Sequence, residues 1–438
     1  MAHVVTCFVR NRAQILLARR SEAAGTYRDR WGGVSGYVEG DPADAERDAR
    51  RELREEVGLT DADLELVRSG EALVVDDDGR SFTVHPFLFE SDTRTLTTNE
   101  EIAAVEWVDP ITIRDRATVP RLWETWRRVA PTVETVRGDR THGSAWLSAR
   151  ALEVLRDVAT EVANTDGDWQ TVVAVARDLR DARPEMAVVA NRVNRVLAAA
   201  VRADSTDPDP ETVVDAAISV LSDAFDADAA AAATAAERLR CDGADSIATI
   251  SRSGTVREAL SLLDRAEPGL SDLVVAESRP EREGVAVAEW AAAETDAAVT
   301  LTTEAALPTA LDTRDVDAVL VGADSVLPNG DAVNKTGTRV LALAAREVGT
   351  PLYAVAATDK VLAASAAAVE ASATARSDIE SPAAAVYDGD ADVAVHAPTF
   401  ELTPAALVDG VATEAGLLDD AAVREVAEEH AATASWDE

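Results

Sequence analysis

Glu52, Glu55 and Glu56 stand at i, i+3 and i+4 in the stretch RRELREEVGL. On a helix that spacing gathers the carboxylates on one face, where like charges repel. A hard divalent cation would relieve the repulsion, since magnesium takes oxygen ligands and is commonly shared with substrate phosphates. An exposed acidic helix in an acid-rich chain is the other reading of the same residues. A second group lies far downstream. The chain holds only two lysines, Lys335 in DAVNKTGT and Lys360 in YAVAATDK, and every other long basic side chain is an arginine. Each lysine follows an apolar run of strand character, as does Asp324 in AVLVGADS. In alternating β/α architecture, ligands bind beyond the carboxyl ends of strands. Asp324 suits acid–base work there, and a lysine suits phosphate because its ammonium is compact and carries three donors. Ordinary surface charge is the alternative for both lysines.

Positioning such groups requires more than one core. The 438 residues suffice for two or three domains. Residues 1–130 read as mixed strand and helix. HVVTCFVR and AQILLARR are β-rich, PADAERDARRELREEVG is helical, and LVRSGEALVVDDDGRSFTVHPFLFES looks like antiparallel strands joined at Asp-Gly. A helix around PRLWETWRRVA closes this part, with 131–138 as a linker. Residues 139–240 carry long helical patterns, including an Ala-rich run near 229–236 that is either tightly packed or a solvated helix. In 241–438, short β runs (DSIATIS, DLVVAES, AAVTLTT, AVLVGAD, PLYAVAA, DVAVHAP) alternate with helical stretches, the signature of βαβ units and a parallel sheet.

Composition narrows the function. Acidic residues outnumber Lys and Arg 80 to 42, for a formal charge of −38, and 47% of residues are apolar. The acids are spread through periodic segments, so the chain folds under an acidic coat. Nonspecific nucleic-acid binding needs a basic footprint and is not expected. The scarcity of lysine with abundant Asp, Glu, Ala and Val resembles a salt-adapted, haloarchaeal-type cytoplasmic protein. At molar salt the Debye length is about 3 Å and self-repulsion is screened. Cys7 and Cys241 make no disulfide framework and have no metal-ligand spacing. No apolar run reaches the length of a membrane span, and the N-terminus lacks a signal-peptide pattern.

Arg51 to Leu59 matches R-E-U-x-E-E-x-G-U, with U aliphatic, at every position. The stretch resembles the Nudix box, and residues 1–130, with WGGVSGYVEGD and NEEIAAVEWVDP, resemble a whole Nudix domain. The resemblance implies an α/β/α sandwich with a mixed sheet that hydrolyses a nucleoside diphosphate derivative with Mg2+ or Mn2+. Glu55 and Glu56 would hold metal, Glu52 would bind metal or assist as a base, and Arg51 would orient the carboxylates. Gly36 would lend backbone, and Glu100 or Glu101 a further acid. Two departures affect the start of the helix: Ala43 stands where the family has a glutamate, and Gly36 lies one residue too far upstream.

The segments RTHGSAWLSARA, ARPEMAVVAN, DSIATISRSGTV, VVAESRPEREG, TLTTEAAL, VGADSVLPNGDAVNKTGT and AATDK, spread over roughly 139–405, resemble a second family. It unites the alpha, beta and delta subunits of initiation factor 2B with ribose-1,5-bisphosphate isomerase and methylthioribose-1-phosphate isomerase. The resemblance implies a helical subdomain, then a Rossmann-like one, and homo-oligomers assembled through this part. In the isomerases a cysteine and an aspartate exchange protons between C1 and C2 of a phosphorylated sugar. Asp324 fits the aspartate, and Arg183, Asn334, Lys335 and Lys360 fit substrate-binding positions, with Arg279 at another strand end. The cysteine position is Ser251, and Cys241 lies too early to replace it. The isomerases' Arg-Gly-Ala reads His142-Gly143-Ser144 here, with Gly143 kept. The implied partners are nucleotide and sugar-phosphate ligands, with a regulatory sensor lacking turnover as the alternative.

Overall fold

The computed structural model describes residues 2–77, 79–165, 167–203, 209–377 and 379–437. It divides into two compact units, Met1–Thr132 and Val133–Glu438.

The first unit is built on an eight-stranded mixed sheet. The strand Ala2–Asn11 is central: it pairs in parallel with Arg80–Glu90 and antiparallel with Gln14–Arg20 and Val34–Tyr37. Period-2 alternation sends Val5, Cys7, Val9, Phe87 and Phe89 to one face and Phe8, Ile15, Leu17 and Leu88 to the other. The first set packs on Ala49, Leu53 and Val57 of the helix Ala45–Val57, the second on Leu122 and Trp126 of the helix Leu122–Arg127. This is the expected α/β/α sandwich. The helix Ala45–Val57 stops at Gly58, whose φ of 77° is the left-handed conformation that favours glycine. In the expected Asp-Gly joint Asp78 lies outside the described residues, while Gly79 takes a φ of 80°.

The second unit opens with the helix Val133–Gly138, whose Val136 is buried, where a linker is expected. The helices Ser144–Asn164, Trp169–Arg180, Ala187–Ala203 and Pro210–Asp242 follow. The last crosses the expected subdomain boundary at 240. Its Ala231, Ala232, Ala235 and Leu239 join the core under the sheet, so the Ala-rich run is tightly packed. Small side chains there let helix and sheet approach closely.

The main sheet has seven strands, in the order Ala298–Thr302, Asp272–Ala276, Ser246–Ile250, Ala318–Gly322, Leu352–Val355, Gly410–Thr413 and Gly416–Leu418. All neighbours are parallel except the last pair. In chain order this is 3-2-1-4-5-6-7, the doubly wound pattern, and the order reverses between Ser246–Ile250 and Ala318–Gly322. The strand expected at DVAVHAP is not formed: residues 392–397 are irregular and Val393 is exposed. The sixth position is taken by Gly410–Thr413, which is buried throughout. Short Val/Ala runs look alike in sequence, and the space beside Leu352–Val355 decides between them. A small antiparallel sheet of Ser325–Val326, Ala332–Lys335 and Phe400–Thr403 stands beyond the strand Ala318–Gly322.

Candidate functional site

In the first unit a cavity of about 430 Å3 opens over the acidic face of the helix Ala45–Val57. Glu52, Glu55 and Glu56 line it with Arg51, Arg20, Glu39 and Glu101. Of the two acids left open by the sequence, Glu101 lines the cavity; its charge acts on both Glu52 and Glu56. Tyr27, Phe82, Val75 and Val84 supply an apolar wall. Although Gly36 stands one residue off the family spacing, it packs directly on the acidic face: a Cβ there would fall 1.9 Å from Glu52 Oε1. Only glycine allows the strand Val34–Tyr37 so close to that carboxylate.

The three glutamates have unlike surroundings. Glu56 is buried, and its carboxyl is pushed up to about 8, first by burial and then by the charge of Glu52; Arg20 and a backbone hydrogen bond at Ser35 pull the other way. Burial also raises Glu52, against the pull of Arg51, which stands 2.9 Å from it. Glu55 is exposed and lies 3.4 Å from Arg51. Arg51 is itself held by Asp48 at 3.3 Å and by the Tyr37 carbonyl at 3.1 Å. The arginine thus orients the acids, with Asp48 as an anchor that the motif alone did not reveal. Among the described residues, no three acidic, His or Cys side chains form a preassembled metal shell. The donor set nonetheless fits a hard cation: three carboxyl groups close together, two of them, Glu52 and Glu56, buried at an energetic cost that a divalent ion would offset.

In the second unit the candidate residues converge at the reversal of strand order. Ser251 follows Ser246–Ile250, and Asp324 follows Ala318–Gly322. Gly322 keeps the gap narrow, since a Cβ there would lie 2.8 Å from Ser253. Burial pushes the Asp324 carboxyl up; Lys360 and Lys335 pull it down, Glu283 raises it, and a hydrogen bond with Ser144 lowers it. Lys360 is buried and donates to the Ala323 carbonyl at 2.8 Å. Its turn is pinned from behind: the neighbouring Asp359 accepts from Arg192 Nε at 2.9 Å and Arg195 at 3.0 Å. Lys335 packs over the Phe400 ring and lies 3.6 Å from Glu283 and 3.7 Å from Glu281. Asn334 is buried and donates to Thr338 at 3.1 Å.

Three residues stand apart from this cluster or at its edge. Arg183 is buried against Glu185 and donates to the carbonyls of Asp139 and Val136, so it ties down the segment before Gly143. Its loop reaches the site through Ser325, whose hydroxyl donates to the Glu185 carbonyl at 3.1 Å. Arg279 is exposed and donates to the Ala385 carbonyl at 3.3 Å. Gly143 is the N-cap of the helix Ser144–Asn164 and places Ser144 at Asp324. Cys241, exposed on the helix Pro210–Asp242, lies before the strand Ser246–Ile250 while Ser251 lies after it. At about 3.3 Å per residue the strand alone separates them by roughly 16 Å. The residue that sequence reading missed is Glu283, which accepts from the Ser251 hydroxyl at 2.9 Å. Its signal was available: it opens a helix just past the strand end that carries Arg279.

Comparison with known proteins agrees with this division. Residues 2–129 match the NUDIX domain and residues 140–420 the Initiation factor 2 subunit family. A ribose 1,5-bisphosphate isomerase of Haloferax volcanii is 33% identical over 66% of this chain and 87% of its own length. A methylthioribose-1-phosphate isomerase of Alkalilimnicola ehrlichii is 28% identical over 74% and 96%. Among solved structures, translation initiation factor eIF-2B from Pyrococcus horikoshii OT3 superposes with a TM-score of 0.51 at 22% identity, covering 65% of this chain and 94% of that one. The methylthioribose 1-phosphate isomerase of the same organism gives 0.51 at 22%, covering 76% and 90%. These two show the shared fold. The NUDIX domain makes the chain an enzyme of the hydrolase class, and the second unit is homologous to isomerases. A NUDIX domain thus precedes a chain that, from residue 140 to 420, belongs to the Initiation factor 2 subunit family.

Proposed function

We propose that the first unit hydrolyses a nucleoside diphosphate linked to a further group, with Mg2+ or Mn2+ held by Glu52, Glu55 and Glu56. The observation that carries this reading is the buried Glu56, raised to about 8 beside Glu52 in a cavity that also holds Arg20 and Arg51. When bound, the cation supplies charge neutralisation at the diphosphate and a more acidic water. Arg51 keeps Glu52 and Glu55 aimed into the cavity, Arg20 offers a guanidinium to phosphate, and the Tyr27–Phe82 wall accepts an apolar or aromatic portion of the substrate. A screen of nucleoside diphosphate derivatives at molar KCl tests the reading. Turnover that a chelator abolishes is expected; turnover indifferent to chelation overturns the metal assignment, and none on any derivative overturns the reaction.

For the second unit the proposal is a site for a phosphorylated pentose, with Lys335 and Lys360 on its anionic groups and Asp324 at the sugar. The supporting observation is that both lysines act on Asp324 at the point where strand order reverses. Calorimetry with phosphorylated pentoses decides it, and absence of binding by all of them refutes it. Hydrolysis of ADP-ribose in the first unit would release ribose 5-phosphate, which gives the fusion a metabolic logic. A sensor without turnover is the second reading, favoured by Ser251 in the cysteine position. The same proposal places the protein in the cytoplasm as a homo-oligomer formed through the second unit, which sizing at molar salt tests.

A further inference from the structure

We propose that Glu283 is the proton acceptor that works opposite Asp324 on a 1-phosphorylated ribose, filling the role for which Ser251 offers no thiol. The inference rests on the phosphorylated-pentose reading of the second unit.

Ser251 directly follows its strand with a φ of 66°, and its hydroxyl donates to Glu283 Oε2 at 2.9 Å. A serine hydroxyl is a poor proton acceptor near neutrality, but it fixes one oxygen of a carboxylate that is a good one. Lys335 stands 3.6 Å from the other oxygen, and Glu283 opens the helix Glu283–Glu294, whose first turn favours negative charge. Asp324, across the reversal point, has the opposite setting: burial dominates and pushes its carboxyl up, with Glu283 adding to the push. Two carboxyl groups in unlike environments within one site can divide the acid and base roles between them.

The chemistry balances on these two groups. Asp324 gives its proton to the ring oxygen as the bond from that oxygen to C1 breaks, and the phosphate-ester oxygen shares the positive charge left at C1. Glu283 takes the C2 proton, and the electron pair of that bond forms the C1–C2 double bond of an enol phosphate. Glu283 then returns the proton to C1, while the C2 hydroxyl gives its proton to the Asp324 carboxylate and becomes a carbonyl. C2 is oxidised by the electron pair that reduces C1, both carboxyl groups regain their starting protonation, and no co-reactant is consumed. Ser251 is a positioning residue in this scheme.

The test uses the full chain at molar KCl with ribose 1,5-bisphosphate, following ketose formation and, separately, affinity by calorimetry. Wild type is expected to bind and to turn over. Glu283→Gln should keep its affinity within a few-fold and lose at least about 100-fold in turnover. Ser251→Ala should lower kcat about tenfold without raising KM, and Ser251→Gly, which suits the positive φ but also lacks the hydroxyl, should lower it to a similar extent. Ser251→Cys should recover part of the activity in the Glu283→Gln background, because a thiol again stands at that place. Turnover of folded Glu283→Gln within threefold of wild type overturns the proposal. Wild-type binding without turnover overturns it too, while leaving the pentose reading standing; absence of binding by any phosphorylated pentose removes both.

Discussion

The two candidate sites surround their carboxyl groups with charge in opposite ways. In the first unit Glu52, Glu55 and Glu56 come from one helix, Glu39 and Glu101 join them from outside it, and the cations lining the cavity, among the described residues, are Arg20 and Arg51. In the second the protein supplies two ammonium groups, and the acids beside them, Asp324 and Glu283, reach the site from separate strand ends. The first site holds buried carboxyl groups whose charged form an added cation would stabilise. In the second, the two ammonium groups offset part of the charge of Asp324, Glu283 and Glu281. Sharing a chain does not impose one electrostatic strategy; each strategy follows from which side chains the local topology can bring together.

The comparison is broken most directly by removing the acids proposed to hold metal. Glu55→Gln with Glu56→Gln should abolish divalent-dependent hydrolysis, a loss of at least about 1000-fold, with the circular dichroism spectrum unchanged and sugar-phosphate binding intact. Wild-type turnover in the double variant would falsify the assignment of these carboxylates.

Next in size is the pH dependence of the metal-free protein. The Glu56 carboxyl lies at about 8 in the folded state, above its usual 4.5. A raised carboxyl pKa means that the folded state holds its proton more tightly than the unfolded one. The contribution to stability is therefore complete below about pH 4.5 and is lost progressively as pH rises through about 8. At 1.36 kcal/mol per pKa unit the change is on the order of 3–5 kcal/mol. Urea melts of wild type and Glu56→Gln should draw apart in unfolding free energy by about that amount between pH 5 and 8.5; parallel curves would show that Glu56 is not the titrating group. Metal binding near pH 7 should also release close to one proton, read from calorimetry in buffers of different ionisation enthalpy.

Lysine-to-arginine variants sharpen the second half of the comparison. Loss of a charged hydrogen bond is worth roughly 1.5–3 kcal/mol, about tenfold to a hundredfold in affinity. Lys360→Arg should cost more than Lys335→Arg, because Lys360 is buried against the Ala323 carbonyl and a flat guanidinium needs room that the pinned turn does not give. Equal affinity of both variants and wild type for a phosphorylated pentose would remove the lysines from the site.

The smallest effect concerns the coat that both units share. With a formal charge of −38, moving from molar to low KCl should lower the melting midpoint by at least about 5 °C. Identical midpoints would mean that the charge is not a salt adaptation.

The first site was largely legible in the sequence because its chemistry is local: spacing on one helix sets the carboxylate face, and Gly58 marks where the helix ends. The sequence alone could not weigh Glu100 against Glu101, because a loop's facing depends on what it packs against. In the second unit, strand alternation and the two rare lysines pointed to strand ends. Which strands are neighbours, and therefore that Ser251 and Asp324 flank the reversal point, is a long-range pairing that periodicity does not encode. The same limit explains DVAVHAP, whose pattern suits a strand but which pairs only at its end, through a single bridge between Pro398 and Glu380, and Arg183, whose charge suits a substrate but whose side chain is spent on Glu185 and two carbonyls. Residue type and spacing along the chain determined what chemistry was available here. Only tertiary packing decided which of those groups face one another, because burial and partner charge, the quantities that set a carboxyl's role, are properties of what surrounds it.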